Sequence, residues 1–570
     1  MQSAQIDAFV RDRLPPPELQ PEFLFELPEL RYPDGLNAAV ELIDKGPAET
    51  PAVINDAGTW TYGAISDLSD RIARLLVEEE GLVPGNRVLL RGPNGAILFA
   101  AWLAVLKAGG IVVATMPILR PREIATILDR AQVHHAIVDE RGLDDFMAAA
   151  DETGLIRSLL VYRGDAGGGA LEERLRGVAG GFQPVATHRD DVALVAFTSG
   201  TTGRPKACIH YHRDLLASAD SFARHVLKPE PGGRWACSAP IAFTFGLGMQ
   251  LVFPWRFGGA AVTLEQGGPK PLLEAVAKHC VTHLATAPTA YKAMLGMLSE
   301  KALPLDGGSG GGALRDPLSP RSNRTPPQPL PIEGRGLPPG PLSSLTTCVS
   351  AGEHLPSATW HAWREATGLR IVDGIGATEM MHVFISASGD DIRPGATGKA
   401  VPGYRACVLD EEGRPLPHGI GRLAVKGPTG CRYMDDERQR DYVQHGWNVT
   451  GDTYRQDEEG YFWYLARSDD MIVSAGYNIA APEVENALYL HEAVSECAVI
   501  GVPCAERGQK VKAFVVVAAG HEGSPALARA LQDHVKAAIA PYKYPREIEF
   551  VAALPRTATG KLQHFALRTR

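Results

Sequence analysis

Cysteine is scarce. Eight occur in 570 residues, with no Cys-x-x-Cys pair and no dense framework. That excludes a disulfide scaffold, suits a reducing cytosol, and leaves each thiol to be read as a small buried hydrophobe. An excess of basic charge is also missing. The 57 Lys and Arg are outnumbered by 66 Asp and Glu, for a net charge of −9, the wrong sign for a general nucleic-acid binder. Long apolar runs are lacking too. The strongest membrane candidate, Ala96 to Leu106, has eleven apolar residues before Lys107 and the Gly109-Gly110 pair. It is too short to span a bilayer and predicts a buried helix. The first residues, MQSAQIDAFVRDRLPPPELQPEF, are acidic and proline-rich with no apolar core, which excludes a signal peptide. The expectation is a cytoplasmic protein without membrane or nucleic-acid partners.

What is present is the balance of a globular protein, 45% hydrophobic and 22% charged, with a length that allows two to four domains. No repeat of fixed period occurs. Strand-like runs at Arg87–Leu90, Ile111–Ala114 and His135–Val138 alternate with helical stretches, Leu98–Leu106 among them. This predicts parallel sheets with crossover helices. Leu345–Ser350 reads as a strand and Ser357–Thr367 as a helix stopped by Gly368. Near the carboxyl end Pro482 opens a helix with acids in its first turn. The strands Ala498–Val502 and Ala513–Ala518 follow, then a helix around Ala526–Ala538, making a small β/α module. One segment breaks the rhythm: Gly307 to Pro341 holds 8 Gly and 9 Pro in 35 residues. Such a chain buries too little apolar area to offset its ordering entropy, so a disordered surface insertion is expected over 307–341.

Chemistry enters where the buried run Ala193–Phe197 feeds into Thr198-Ser-Gly-Thr-Thr-Gly-Arg-Pro-Lys206. Glycines let a backbone fold close around an anion, hydroxyls and successive N–H groups bond phosphate oxygens, and a lysine adds a point charge. The string is not a Walker A loop, because Pro205 stands where Gly-Lys would be required. Further along, Asp452 in Thr450-Gly-Asp452 is a carboxylate able to accept two ribose hydroxyls. Glu379 in Gly376-Ala-Thr-Glu379 is an oxygen ligand suited to Mg2+ held beside ATP phosphates. Lys561, after Gly560, stands in a tail able to swing. Each has a plainer explanation when taken alone: Gly-Asp is common in turns, an acid often opens a helix, and most lysines are solvated.

Together these strings resemble the adenylate-forming acyl- and aryl-CoA synthetases. Thr198 to Lys206 is similar to their phosphate loop, Gly376–Glu379 to their aromatic-Gly-x-Thr-Glu element with Ile375 in the aromatic place, and Thr450–Asp452 to their ribose motif. Arg467-Ser-Asp-Asp-Met-Ile-Val-Ser-Ala-Gly476 is similar to their hinge, and Pro555-Arg-Thr-Ala-Thr-Gly-Lys561 to their terminal lysine motif. The resemblance implies an α/β fold with a large multi-subdomain N-terminal adenylation domain (1–468) and a small mobile C-terminal α+β domain (469–570). It implies ATP, Mg2+ and coenzyme A. A carboxylate attacks the α-phosphorus of ATP, and the CoA thiolate then displaces AMP from the acyl-adenylate. Catalytic roles fall to Lys561, Glu379 and Thr198, with Glu379 on the metal. ATP and AMP would be held by Thr198, Ser199, Gly200, Thr201, Thr202, Gly203, Lys206, Ala351, Gly352, Glu353, Asp373, Gly374, Ile375, Thr378, Asp452 and Arg467. The hinge falls on Asp469, and Gly476 and Tyr477 would line the CoA path.

The acid is addressed by Pro240-Ile-Ala-Phe-Thr-Phe-Gly-Leu-Gly248 and by Asp373 to Phe384. The first string is aromatic and glycine-rich, and the second places His382 and Val383 just beyond Glu379; flat apolar walls with one polar group suit an aromatic acid. They resemble benzoate–CoA ligases, whose pocket positions map onto Thr244, Phe245, Gly376, His382 and Val383. Phe245 stands where benzoate ligases tend to carry Tyr. The stretch Tyr433–Tyr442, with Gly446–Asp452, is closer to 2-aminobenzoate–CoA ligases. The expected substrate is 2-aminobenzoate, with benzoate or another substituted benzoate as the alternative. A separate carrier protein as thiol acceptor is a different option, and so is a non-catalytic scaffold; nine residues follow Lys561, so no fused carrier is expected. A homodimer stays open.

Overall fold

The computed structural model describes residues 2–165, 167–198, 205–301, 342–467, 472–474, 477–504, 508–539, 541–556 and 562–568. The 307–341 segment and the expected boundary between 468 and 469 lie outside them.

The apolar run forms the helix Ala96–Lys107, buried along its whole length. Its side chains enter a core shared with strands of both large sheets, with Val88 and Val112 from one and Val53 and Trp235 from the other. Fully burying a Leu, Ile or Phe side chain stabilises by roughly 1.5–3 kcal/mol, so this central position accounts for a run with no polar face. Both polar ends of the helix are met. The Asp165 carboxylate accepts from Ala96 N at 2.8 Å and Ile97 N at 3.0 Å, and the buried Lys107 ammonium lies 2.7 Å from both Asp44 and Asp70.

The first large sheet runs in the order Ser158–Tyr162, His135–Asp139, Arg87–Arg91, Ile111–Thr115, Val192–Thr198, Lys206–Tyr211. Its pairings are parallel up to Val192–Thr198, after which Lys206–Tyr211 turns back antiparallel. The second has nine strands, with the parallel neighbours Ala260–Val262, Arg234–Cys237, His283–Thr286, Thr347–Ala351 and Ile371–Gly376 near its middle. These are the crossover sheets that the alternation predicts. The helix Ser357–Thr367 also forms as expected, and Gly368 ends it at φ +71°.

Two features depart from the sequence expectation. A third sheet, wholly antiparallel, is built from Arg405–Leu409, Gly419–Lys426, Trp447–Gln456, Phe462–Arg467 and two short strands. Its strands are only partly buried, with mixed burial patterns, a weaker signal than the fully buried run of a parallel strand. The reading of every cysteine as buried fails at Cys280, which is exposed, and at Cys504, which is half-buried; the other six are buried and all eight are free. Cys280 ends the helix Pro269–His279 with φ +53°, a place set by the turn and not by hydrophobicity.

At the carboxyl end, Val494–Cys504 and Gly508–Val517 pair antiparallel, and Glu547–Phe550 adds a parallel strand. The helices Ala481–Tyr489 and Pro525–Ala538 share the core of this module. Among the described residues no helix is long and apolar enough to cross a membrane.

Candidate active site

Thr198 and Lys206 are cross-strand partners at the end of an antiparallel pair, so the string between them begins and ends at one point of the first sheet. Ser199, Gly200, Thr201, Thr202 and Gly203 lie outside the described residues, as do Asp469, Gly476 and Lys561; Tyr477 starts the strand Tyr477–Ile479.

The second sheet brings two more strings together. Thr347–Ala351 and Ile371–Gly376 are parallel neighbours, with Ser350 opposite Asp373 and Ala351 opposite Gly374. Ala351, Gly352 and Glu353 therefore leave the sheet beside Asp373 to Gly376, at the carboxyl ends of parallel strands, where open α/β sheets bind ligands. Glycine is required here by close approach. A Cβ on Gly374 would stand 2.7 Å from Val383 Cγ1, and one on Gly376 would stand 2.8 Å from the His382 carbonyl. Burial pushes the Asp373 carboxyl up to about 7.

After Gly376 the chain makes a single 3₁₀ turn, Thr378–Met380. Met381 then takes φ +66° and His382 N donates to the Met380 carbonyl at 2.8 Å. A γ-turn of this hand is rare and strained for a residue with a side chain, and here it separates Glu379 from His382. Two buried groups hold it from outside. His210 Nε2 donates to the Thr378 carbonyl at 2.8 Å, and Thr429 Oγ1 donates to the Met380 carbonyl at 2.7 Å. Behind His210 lies a fully buried ion pair, Arg432 Nη1 to Asp214 Oδ2 at 2.7 Å.

Glu379 accepts from the Tyr433 hydroxyl, and that hydroxyl accepts from Lys206 Nζ at 3.0 Å. Asp452 and Arg467 face each other on paired antiparallel strands of the third sheet, 3.3 Å apart. These groups share one neighbourhood. Burial first, then the charges of Glu379 and Asp452, raise the Tyr442 phenol far above its ordinary value. Tyr454 responds to both Asp452 and Asp373 in the same way.

Thr244 opens a short helix, and the aromatic string around it meets His382. The His382 ring stacks on Phe245 at 5.6 Å and Phe222 at 5.5 Å, and meets Phe253 edge-on at 4.5 Å. Its Nε2 lies 3.4 Å from the Phe245 carbonyl, while its buried Nδ1 has no hydrogen-bond partner among the described residues. Burial lowers its pKa to about 3, so the ring is neutral. Phe222 stands in a π-helical stretch, Ala219–Leu227, and Gly248 opens another, Gly248–Val252. Beside Pro240, a cleft of about 350 Å³ opens between the carboxyl ends of strands from both large sheets.

Sequence reasoning missed Phe222 and Phe253 around His382, and the His210, Asp214, Arg432 and Tyr433 set around Glu379. Tyr433 stands in a string noted above only for its resemblance. The signal for the others, a π-helical widening or a buried charge far away in the chain, is not local.

The chain matches the AMP-binding enzyme family over residues 41–432 and the AMP-binding enzyme C-terminal domain over residues 483–561. It belongs to the AMP-binding enzyme family. Benzoate–CoA ligase of Thauera aromatica is 33% identical over 551 residues, covering 95% of this chain and 97% of that protein. Among solved structures, an anthranilate CoA ligase in complex with anthranoyl-AMP superposes with a TM-score of 0.84 at 32% identity, covering 95% of this chain and 98% of that one. A benzoate CoA ligase from Burkholderia xenovorans LB400 gives a TM-score of 0.79 at 30% identity, covering 94% and 100%. This AMP-binding enzyme is an acid–thiol ligase of the AMP-forming kind.

Proposed function

We propose that this enzyme joins a small aromatic acid, 2-aminobenzoate foremost, to coenzyme A through an aryl-adenylate. The observation that carries this reading is His382 among three phenyl rings, with no hydrogen-bond partner for Nδ1 among the described residues. Flat rings suit a flat acid. The tautomer that donates from Nε2 to the Phe245 carbonyl leaves Nδ1 as an acceptor. An ortho-amino group offers the N–H that Nδ1 lacks, and satisfying a buried polar atom of this kind is worth about 1–3 kcal/mol. The likeness to the anthranilate ligase supports the same choice. Benzoate, or a benzoate with another substituent, is the alternative and would leave Nδ1 unpaired.

In this reading the loop from Thr198 to Lys206 holds the ATP phosphates, Asp452 takes the ribose, and Ala351–Glu353 with Asp373–Ile375 and Thr378 flank the nucleotide. Arg467 keeps Asp452 oriented. Glu379 fits Mg2+: one oxygen is bonded by Tyr433 and the other has no hydrogen-bond partner among the described residues. An ion there would be held by this carboxylate and the substrate phosphates. Bound there, Mg2+ would supply countercharge to the phosphates. Lys561 is assigned to the first half-reaction, in which negative charge gathers, and Gly476 with Tyr477 to the CoA path after rotation about Asp469.

The test is a panel of benzoate, hydroxybenzoates, aminobenzoates and short fatty acids, assayed for AMP release with CoA present. Preference for 2-aminobenzoate is expected. Preference for short fatty acids would overturn the aromatic reading, and preference for benzoate would shift it to the alternative.

A further inference from the structure

Lys206 and Glu379 come from different sheets, and a third segment stands between them. Lys206 opens the edge strand of the first sheet, Glu379 follows the strand Ile371–Gly376 of the second, and Tyr433 lies just past the strand Gly419–Lys426 of the third. Tyr433 is held tightly. It is 1% exposed, and its N–H donates to Gln439 Oε1 at 2.9 Å. The residues on either side of it are laced to the strand that carries Lys206, Ile209 N to the Arg432 carbonyl at 2.8 Å and Met434 N to the Ala207 carbonyl at 2.9 Å. Its ring meets Tyr442 edge-on at 5.8 Å. The hydroxyl is the side chain's single polar atom, and it is spent on two charged groups: it accepts from Lys206 Nζ and donates to Glu379.

The order of those two bonds matters. An ammonium and a carboxylate near each other in a partly buried site would otherwise close into a direct ion pair. Each would then satisfy the other, and neither would be left for phosphate or metal. A phenol between them accepts from one and donates to the other while keeping them a full hydroxyl apart.

We propose that Tyr433 is a positioning residue for adenylation: its hydroxyl is a spacer that keeps Lys206 and Glu379 apart and available to MgATP. This rests on the roles given above to Lys206 and Glu379, and it is independent of which acid the enzyme activates.

The test uses the full-length enzyme and Tyr433→Phe, which keeps the ring and removes the oxygen. Calorimetric titration with ATP, with and without Mg2+, needs no acid and reads the site directly. Outer-shell partners of metal ligands typically carry about 10–100-fold in metal affinity or activity. Affinity for MgATP is expected to fall by that factor and the Mg2+ concentration for half-maximal pyrophosphate exchange to rise. Tm, and thioester formation from a supplied aryl-adenylate, should stay at the wild-type level. Wild-type MgATP affinity in Tyr433→Phe overturns the proposal, and so does an equal loss in both half-reactions. Glu379→Gln separates the two levels. If it loses MgATP affinity while Tyr433→Phe does not, the roles of Lys206 and Glu379 stand and the spacer fails. If Glu379→Gln also binds MgATP normally, the assignment of Glu379 itself falls.

Discussion

Phe245 touches His382 twice: their rings stack with centroids 5.6 Å apart, and the Phe245 carbonyl lies 3.4 Å from His382 Nε2. One residue thus supplies both an aromatic face and the acceptor that selects the tautomer. The neutral ring is packed by three phenyl groups, so in the proposed reading it would distinguish acids through a hydrogen bond and not a charge.

His382→Ala should lower kcat/KM for 2-aminobenzoate more than for benzoate. The expected gap is about 1–3 kcal/mol, the cost of leaving a buried polar group unpaired. Parallel assays of the two acids check it. Equal losses would mean that His382 orients the shared carboxylate or only supports the fold.

Gly248→Ala should act through His382. A Cβ at 248 would stand 2.4 Å from His382 Cδ2 and 2.5 Å from Nε2, closer than real contacts allow, and Phe222 and Phe253 leave the ring little freedom. Overpacking of this kind costs typically about 1–3 kcal/mol. A lower Tm together with a flattened preference between the two acids is expected. Unchanged values of both would show that the imidazole yields freely.

Asp214→Asn should destabilise the enzyme by about 3–5 kcal/mol, because it strands the buried charge of Arg432. Both side chains are fully buried, and among the described residues Asp214 is the one carboxylate paired with Arg432. The Phe23 and Tyr211 rings, 4.2 and 4.0 Å from the guanidinium carbon, replace only part of that partner. Urea unfolding measures the shift, and a loss under about 1 kcal/mol would mean that the rings suffice.

Acidification should destabilise the fold between pH 6.5 and 4. Burial lowers His210, His212, His283 and His354 to about 4 and His382 to about 3. Each is neutral when folded and takes up a proton on unfolding, so the stability present above pH 6.5 is lost as pH falls toward the folded values. Asp373 has the opposite sign. Raised to about 7, it favours the folded state below its unfolded value and loses that contribution as pH rises through 7. Five groups against one make the net slope positive, and Tm should fall steadily on acidification. His283 stacks on Trp235 at 4.1 Å, so His283→Phe keeps the stacking and should make the slope shallower. A Tm that is flat from pH 6.5 to 5 would contradict this.

Local chemistry by itself determined much of this protein. The run Ala96–Leu106 has no polar face and could only be a central helix. Gly368 had to end the helix before it, and the alternation of strand and helix required parallel sheets. The strings around Thr198, Glu379 and Asp452 resemble motifs of the family as contiguous strings, which is why the family is legible without coordinates. Other features were decided by tertiary structure. The third sheet pairs partly buried strands of mixed burial pattern, whose partners are not set by any local period. The His382 surround combines Phe222, Phe245 and Phe253 through two π-helical stretches, a widening that depends on what packs beside the helix. Lys206, Glu379 and Tyr433 stand 173 and 54 residues apart along the chain, and only folding places one hydroxyl between the two charges. A sequence specifies which groups can donate, accept or carry charge. Which of them are buried without water, and so must find one another, is set by the packing of three sheets.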